Sequence, residues 1–302
     1  MRARAPGKVV LSGAYAVLDG APAIVAAVDR YAIADSARAA EFVSDEVRVA
    51  FGDRAAPHID ASALRQGGRK LGLGSSAAIL VASLAAAELA EEPELEHAEL
   101  VERVIEPGLS AHARAQGGGS GIDVAASAYG GIIVARRVAA GLEVSSFVWP
   151  DALEVSVLAL GQSASTAGLI ARVRALESAQ PALYERLMAA QAEASERAAR
   201  ALESADAGEM LRALTAQGLA LRELGLAAGA PIVTVELDRL RERALGLGAV
   251  ALPAGAGGGD VALWVSPRGG PPPPTDLDGF DVLELTLGAP GVCRISPFEE
   301  AN

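Results

Sequence analysis

Short β-branched runs dominate the first half of the chain, and helical stripes dominate much of the second. Residues 9–11 are apolar and β-branched, and a second apolar run, 14–18, resumes after Gly13, so a strand or hairpin is expected to open the fold. The Asp19-Gly20-Ala21-Pro22 stretch has turn chemistry and leads into a buried strand over 23–28, with weaker strand candidates at 31–40 and 46–51. Residues 52–69, punctuated by Gly52, Pro57, Gly67 and Gly68, read as a loop. A helix is expected over 76–91 and another over 94–105, the second stopped by Pro107 and Gly108. Runs at 131–138 and 142–148 suggest a hairpin through Gly141, and 154–160 a further strand.

From about 166 to 246 the apolar period becomes helical, with Leu169, Val173 and Leu176 on one face and Leu183, Leu187 and Met188 on another. Three or four helices fit, with breaks near Pro181, Gly208 and Gly229-Ala230-Pro231. Strands are expected at 249–252, 261–265 and 281–287, and Pro271 to Pro274 reads as a stiff connection. Trp149-Pro150-Asp151 is the expected domain boundary, giving domains 1–150 and 151–302.

Composition narrows the function classes. A chain of 302 residues that is 51% hydrophobic can bury a sizeable core. A net charge of −12 argues against nucleic acid or an anionic membrane as partner, while local cations and backbone N–H groups still permit a small anionic ligand. Cys293 stands alone, so an internal disulfide or thiolate metal cluster is not expected. With no clean signal-peptide pattern and no apolar run of membrane-spanning length, the expectation is a cytoplasmic protein, monomeric or homodimeric. His58, His97 and His112 lack metal-ligand spacing and read as ordinary surface or core residues.

Chemistry concentrates in three glycine-rich turns and one early lysine. The first turn reads Gly72-Leu73-Gly74-Ser75-Ser76-Ala77 and feeds an alanine-rich helix. Glycines there let the backbone approach a ligand, and the helix start offers unpaired N–H groups and a positive dipole end to an anion such as phosphate. The serine hydroxyls add donors or a magnesium ligand, although Ser75 also suits a plain helix cap. The second turn, Gly119-Ser120-Gly121-Ile122-Asp123, precedes another helix, where Asp123 suits either catalysis or the helix dipole. Gly255 to Asp260 forms the third. Lys8 follows Ala5-Pro6-Gly7, and Ser163, Ser165 and Thr166 precede a helix that they could simply cap.

The Ala5–Gly13 stretch with Lys8, the Gly72–Ala78 turn and the Gly255–Asp260 turn, in that order, resemble the three motifs of the GHMP superfamily of small-molecule kinases, and with the Gly119–Asp123 turn the resemblance spans nearly the whole chain. Within it, residues 14–18 and 22–31, the Gly119–Ala125 stretch and Gln162 to Thr166 are similar to the phosphomevalonate kinases. The resemblance implies an α+β, two-domain GHMP kinase fold: an N-terminal ribosomal-S5-like α/β domain and a helix-rich C-terminal ferredoxin-like domain, with ATP and acceptor meeting between them. It implies ATP held by Gly72, Leu73, Gly74, Ser75, Ser76 and Ala77, Mg2+ at Ser75 or Ser76, and catalysis by Lys8 and Asp123. Tyr15, Ser120, Ser163, Ser165, Thr166, Gly257 and Gly258 would join Lys8 and Asp123 around an anionic acceptor, with Lys70, Arg136 and Arg137 as candidates to offset its charge. The implied reaction is ATP-dependent phosphorylation of phosphomevalonate to diphosphomevalonate. An alcohol-accepting GHMP kinase, such as one for mevalonate, and a non-catalytic ligand sensor are the alternatives. Three departures from the superfamily pattern are Ala14, where glutamate is common, the replacement of the serine and lysine around the third motif by Ala254 and Leu252, and His112. Counting back from Asp123, the magnesium-binding glutamate of mevalonate kinases would fall near His112, so magnesium is expected to rest mainly on Ser75 or Ser76 and the nucleotide.

Overall fold

The structure, a computed structural model, describes residues 1–161, 165–274 and 279–295. The chain forms two compact units. Unit 1 takes Met1–Val9, Val25–Ile133 and the described residues from Thr286 on; unit 2 takes Val10–Ile24 and Val134–Leu285. The units are therefore assembled from interleaved segments, and position 150 falls within the second of them.

Strands β1 (Arg2–Ser12), β2 (Ala23–Ala39), β3 (Pro57–Asp60), β6 (Ile132–Val138), β7 (Gly141–Phe147) and β12 (Cys293–Arg294) form a six-stranded sheet. Its order is β12-β1-β2-β6-β7, with β3 paired to β2. Residues 23–28 are buried at every position, as expected of a strand covered on both faces, and the 31–40 candidate is the continuation of the same strand. Strands β4 (Arg65–Gln66) and β5 (Arg69–Lys70) make a small ribbon inside the stretch expected as loop, as does β3.

Among the described residues, unit 1 also holds four α-helices, two of them short. Helix α1 (Asp45–Phe51) replaces the strand expected at 46–51. Ser44 caps it by accepting from the Val47 N–H at 3.3 Å, Asp45 and Glu46 lie at its positive end, and Val47 and Phe51 share its buried face. Helix α2 (Ser75–Glu91) buries Ala77, Leu80, Val81, Leu84, Ala85 and Leu89 and is apolar almost all round, the pattern of a core helix. Helix α3 (His97–Gln116) runs through Pro107 and Gly108, where a stop was expected. A capping box between Glu96 and Glu99 sets its start, and its face of Leu100, Val101, Val104, Gly108, Ala111 and His112 stays buried across the proline. A Cβ on Gly108 would lie 3.0 Å from Val124 Cγ1, so this glycine permits close packing against α4 (Ile122–Tyr129).

In unit 2, β8 (Leu153–Leu160), β9 (Val250–Pro253), β10 (Val261–Pro267) and β11 (Phe280–Leu283) form an antiparallel sheet of order β11-β8-β10-β9. The strand expected over 281–287 thus ends at Leu283; Leu287 makes an isolated bridge with Val28 of unit 1's strand β2 segment within that unit. Helices α5 (Thr166–Ala179), α6 (Pro181–Glu203), α7 (Ala207–Ala228) and α8 (Val235–Gly246) account for the helical region. The Trp264 indole is fully buried and donates to the Pro271 carbonyl at 2.9 Å, tying down the proline-rich connection. Residues 14–18 form no strand: Tyr15 turns the chain at φ 62° into a 3-10 turn at Ala16–Asp19.

Buried polar groups in this unit meet at Gln217 of α7. Its Oε1 accepts from Ser12 Oγ at 2.5 Å and from the Gly13 N–H at 3.1 Å, and its Nε2 donates to Gln191 Oε1 at 3.4 Å. Gln217→Leu leaves Ser12 and Gly13 with stranded donors, at a cost of about 1–3 kcal/mol each. Chemical denaturation is expected to show a loss of several kcal/mol, against a near-neutral effect for Gln217→Glu at low pH, where the acid retains an acceptor.

Candidate active site

Two clusters of predicted residues lie in unit 1. The first joins Lys8 to the glycine turn ahead of α2. Leu73 is buried and anchors that turn, and its carbonyl accepts the Lys8 backbone N–H at 2.8 Å. Gly74, at φ 73°, is the N-cap of α2, and a Cβ built on it would lie 2.8 Å from Lys8 Cε and 2.9 Å from Lys8 Cγ. The lysine stem therefore lies directly over the glycine, where only a residue without a side chain leaves room. Ser75 is the first helical residue and does not cap the helix; no side chain caps it, and its first turn holds no acidic residue. Ser75 and Ser76 are half-buried beside this positive end, and Ala77 is buried behind them. Uncapped N–H groups, a helix dipole, two hydroxyls and a lysine make a site for anionic oxygens.

The second cluster surrounds Asp123, in the first turn of α4 after the N-cap Gly121. Asp123 Oδ1 accepts from the Val124 N–H at 3.1 Å. Its Oδ2 lies 3.4 Å from His112 Nε2 on α3. His112 is buried at 3% exposure, whereas the Asp123 side chain keeps 24%. Farther along, Glu46 accepts from Gln116 Nε2 at 3.1 Å. Burial pushes the Glu46 carboxyl up, but hydrogen bonds from Gln116, its own backbone N–H and Ser44, together with the charge of His112 when protonated, hold it below the usual range. Ser120 is half-buried just ahead of α4. His112 was expected to be an ordinary residue, and its place beside Asp123 follows only from the packing of α3 on α4. His97, by contrast, engages the Val292 carbonyl through Nδ1 at 2.8 Å.

The remaining predicted residues belong to unit 2. The Tyr15 hydroxyl donates to the Ala256 carbonyl at 2.7 Å, so Tyr15 and the third glycine turn come together. Burial pushes the Tyr15 hydroxyl pKa well up, which leaves it a hydrogen-bond donor and not a base. Within the turn, the Gly258 N–H donates to the Ile232 carbonyl at 3.1 Å, with half-buried Gly257 beside it. Ser165 caps α5, accepting from the Gly168 N–H at 3.3 Å, and Thr166 is exposed at the helix start. Ser163 lies outside the described residues. Arg136 is already engaged with Glu196 at 2.7 Å and with the Gly20 carbonyl at 3.0 Å, whereas Lys70 of unit 1 and Arg137 are exposed.

Among the described residues, no group of three or more His, Cys, Asp or Glu side chains could hold a metal ion. The donor set at Ser75 and Ser76, hydroxyls at a helix start, fits a magnesium ion that arrives with phosphate oxygens and keeps its own waters. No described helix is long and apolar enough to cross a membrane.

Known proteins resemble this chain in sequence and in fold. A family model described as the GHMP kinases N terminal domain matches residues 30–131. A phosphomevalonate kinase of Streptomyces sp. (strain CL190) is 31% identical over 230 residues, which cover 67% of this chain and 59% of that protein. The match thus spans less than two thirds of the relative's length. The phosphomevalonate kinase of Streptococcus pneumoniae, solved in complex with phosphomevalonate and AMPPNP, superposes with a TM-score of 0.73 at 18% identity, covering 95% of this chain and 99% of that one. The L. major mevalonate kinase, solved in complex with R-mevalonate, gives 0.66 at 22% identity, covering 88% and 87%. The turns of unit 1, the α+β architecture and these matches together show that the chain belongs to the GHMP kinase superfamily.

Proposed function

We propose that this protein is an ATP-dependent kinase that transfers the γ-phosphoryl group to phosphomevalonate, giving diphosphomevalonate. The observation that carries the kinase reading is the Lys8 stem packed on Gly74 at the uncapped start of α2. The 31% identity to a phosphomevalonate kinase supports the choice of acceptor.

In this reading the 72–77 turn holds the ATP phosphates through backbone N–H groups, and Lys8 neutralises charge on the transferred group. Ser75 and Ser76 would hold magnesium, which supplies further charge neutralisation when bound. An acceptor phosphate oxygen attacks the γ-phosphorus in line, a new P–O bond forms, the bond to the bridging oxygen breaks, and ADP leaves. A phosphomonoester is largely ionised near neutral pH, its second pKa being about 6. The attacking oxygen therefore carries no proton for Asp123 to remove, and Asp123 acts by positioning the acceptor and Lys8. An alcohol acceptor would instead require Asp123 as general base. Tyr15, Ser120, Ser165, Thr166, Gly257 and Gly258, with Ser163, are assigned to the acceptor.

ADP release with magnesium-ATP is expected with phosphomevalonate and not with mevalonate; turnover with mevalonate alone would move the assignment to an alcohol kinase. Asp123→Asn is expected to lower kcat by roughly a hundredfold with little change in KM, the cost of a misplaced reactant. An unchanged kcat removes Asp123 from the machinery. Gly74→Ala should raise the KM for ATP severalfold, since its Cβ displaces Lys8, and the left-handed backbone adds about 1–2 kcal/mol of strain readable in the thermal midpoint.

A further inference from the structure

Below the Asp123 carboxylate lies a group that the mechanism above does not use. His112 is almost fully buried, its Nε2 stands 3.4 Å from Asp123 Oδ2, and its Nδ1 has no hydrogen-bond partner. An ionised carboxylate only accepts hydrogen bonds, so the ring nitrogen facing it must carry the proton if the contact is to be attractive. The opposite nitrogen then presents a lone pair to the core, and a proton there would be a buried donor with nothing to receive it. The surroundings thus select one arrangement of the uncharged ring, Nε2–H toward Asp123. Around this ring, Asp123 comes from α4, and Glu46 of α1 also interacts with it electrostatically.

We infer that His112 is a positioning residue: it holds Oδ2 of Asp123 from the buried side while the Val124 N–H holds Oδ1, and so fixes the plane of the carboxylate. A freely rotating aspartate at a helix start samples several orientations. One pinned at both oxygens offers a single set of lone pairs to whatever sits above it. This inference rests on the assignment of Asp123 to the reaction, but the contact itself can be tested without turnover.

Only three histidines occur in the chain, so the nitrogen-15 spectrum of the labelled protein resolves them, with His112→Gln assigning the signal. At alkaline pH the expected His112 pattern is a ring protonated at Nε2, and Asp123→Ala should abolish that preference. A ring protonated at Nδ1 overturns the inference. Kinetics provides the second arm. His112→Leu is expected to lower kcat by about tenfold to a hundredfold with KM values held. His112→Gln, whose amide can donate in the place of Nε2, should restore most of it. In the Asp123→Asn background, His112→Leu should cost nothing further, because paired residues acting as one unit are not additive. An equal loss in both backgrounds, or no loss in either, overturns the positioning role. Failure of the kinase reading shows instead as a wild-type protein without turnover, while the nitrogen signals still decide the contact.

Discussion

Helix α2 carries a constraint on which the rest of the candidate site depends. Its sides are buried by small and aliphatic residues, so it cannot be shifted or rotated without disrupting the core of unit 1. Its first turn, however, has neither a capping side chain nor an acidic residue. A helix end is ordinarily capped by a polar side chain, and glycine in that place forgoes roughly a few tenths of a kcal/mol. Here the cap position is held by Gly74, and that choice admits the Lys8 stem. Stability forgone at the terminus and room given to the lysine are thus two consequences of one residue.

The same logic extends to Lys8 itself. Its backbone N–H donates to the Leu73 carbonyl, which ties the strand that carries the lysine to the glycine turn. Leu73 is buried between them and fixes the turn from below. An electrostatic site built this way needs little reorganisation when charge arrives, and preorganisation of this kind is the chief means by which proteins stabilise phosphoryl transfer. In unit 2 a comparable device appears at Tyr15. A backbone conformation that costs a tyrosine about 1–3 kcal/mol is held by a buried ring and by its hydroxyl on Ala256.

What the sequence disclosed follows from the range of the interactions concerned. The glycine turns, the helix after Gly74 and the four helices of unit 2 were legible because turn chemistry and helical periodicity are local. Helix α1 was not, since Val47 and Phe51 in a stretch of seven residues satisfy a strand pattern as well as a helical one, and only the Ser44 cap decides. Pro107 misled because its local penalty is outweighed by a buried face on both sides of it. The composition of the two units was also hidden, because residues 10–24 and the segment from Thr286 join units through pairings that no local signal carries. His112 and Asp123 stand on different helices separated by a glycine-rich turn, so their meeting depends on how α3 packs on α4 and is carried by no local periodicity.

That pairing bears on how an aspartate would serve the proposed reaction, whose acceptor oxygen carries no proton to remove. With an ionised acceptor, a loosely held carboxylate would add repulsion and little else. A carboxylate fixed at both oxygens and set at the positive end of α4 is different, because its charge is partly balanced and its direction is settled before the acceptor arrives. It can then orient a neighbouring cation or hydroxyl at small entropic cost. The Val124 N–H on Oδ1 and the His112 ring 3.4 Å from Oδ2 hold the Asp123 carboxylate on two sides, which suits a positioning role.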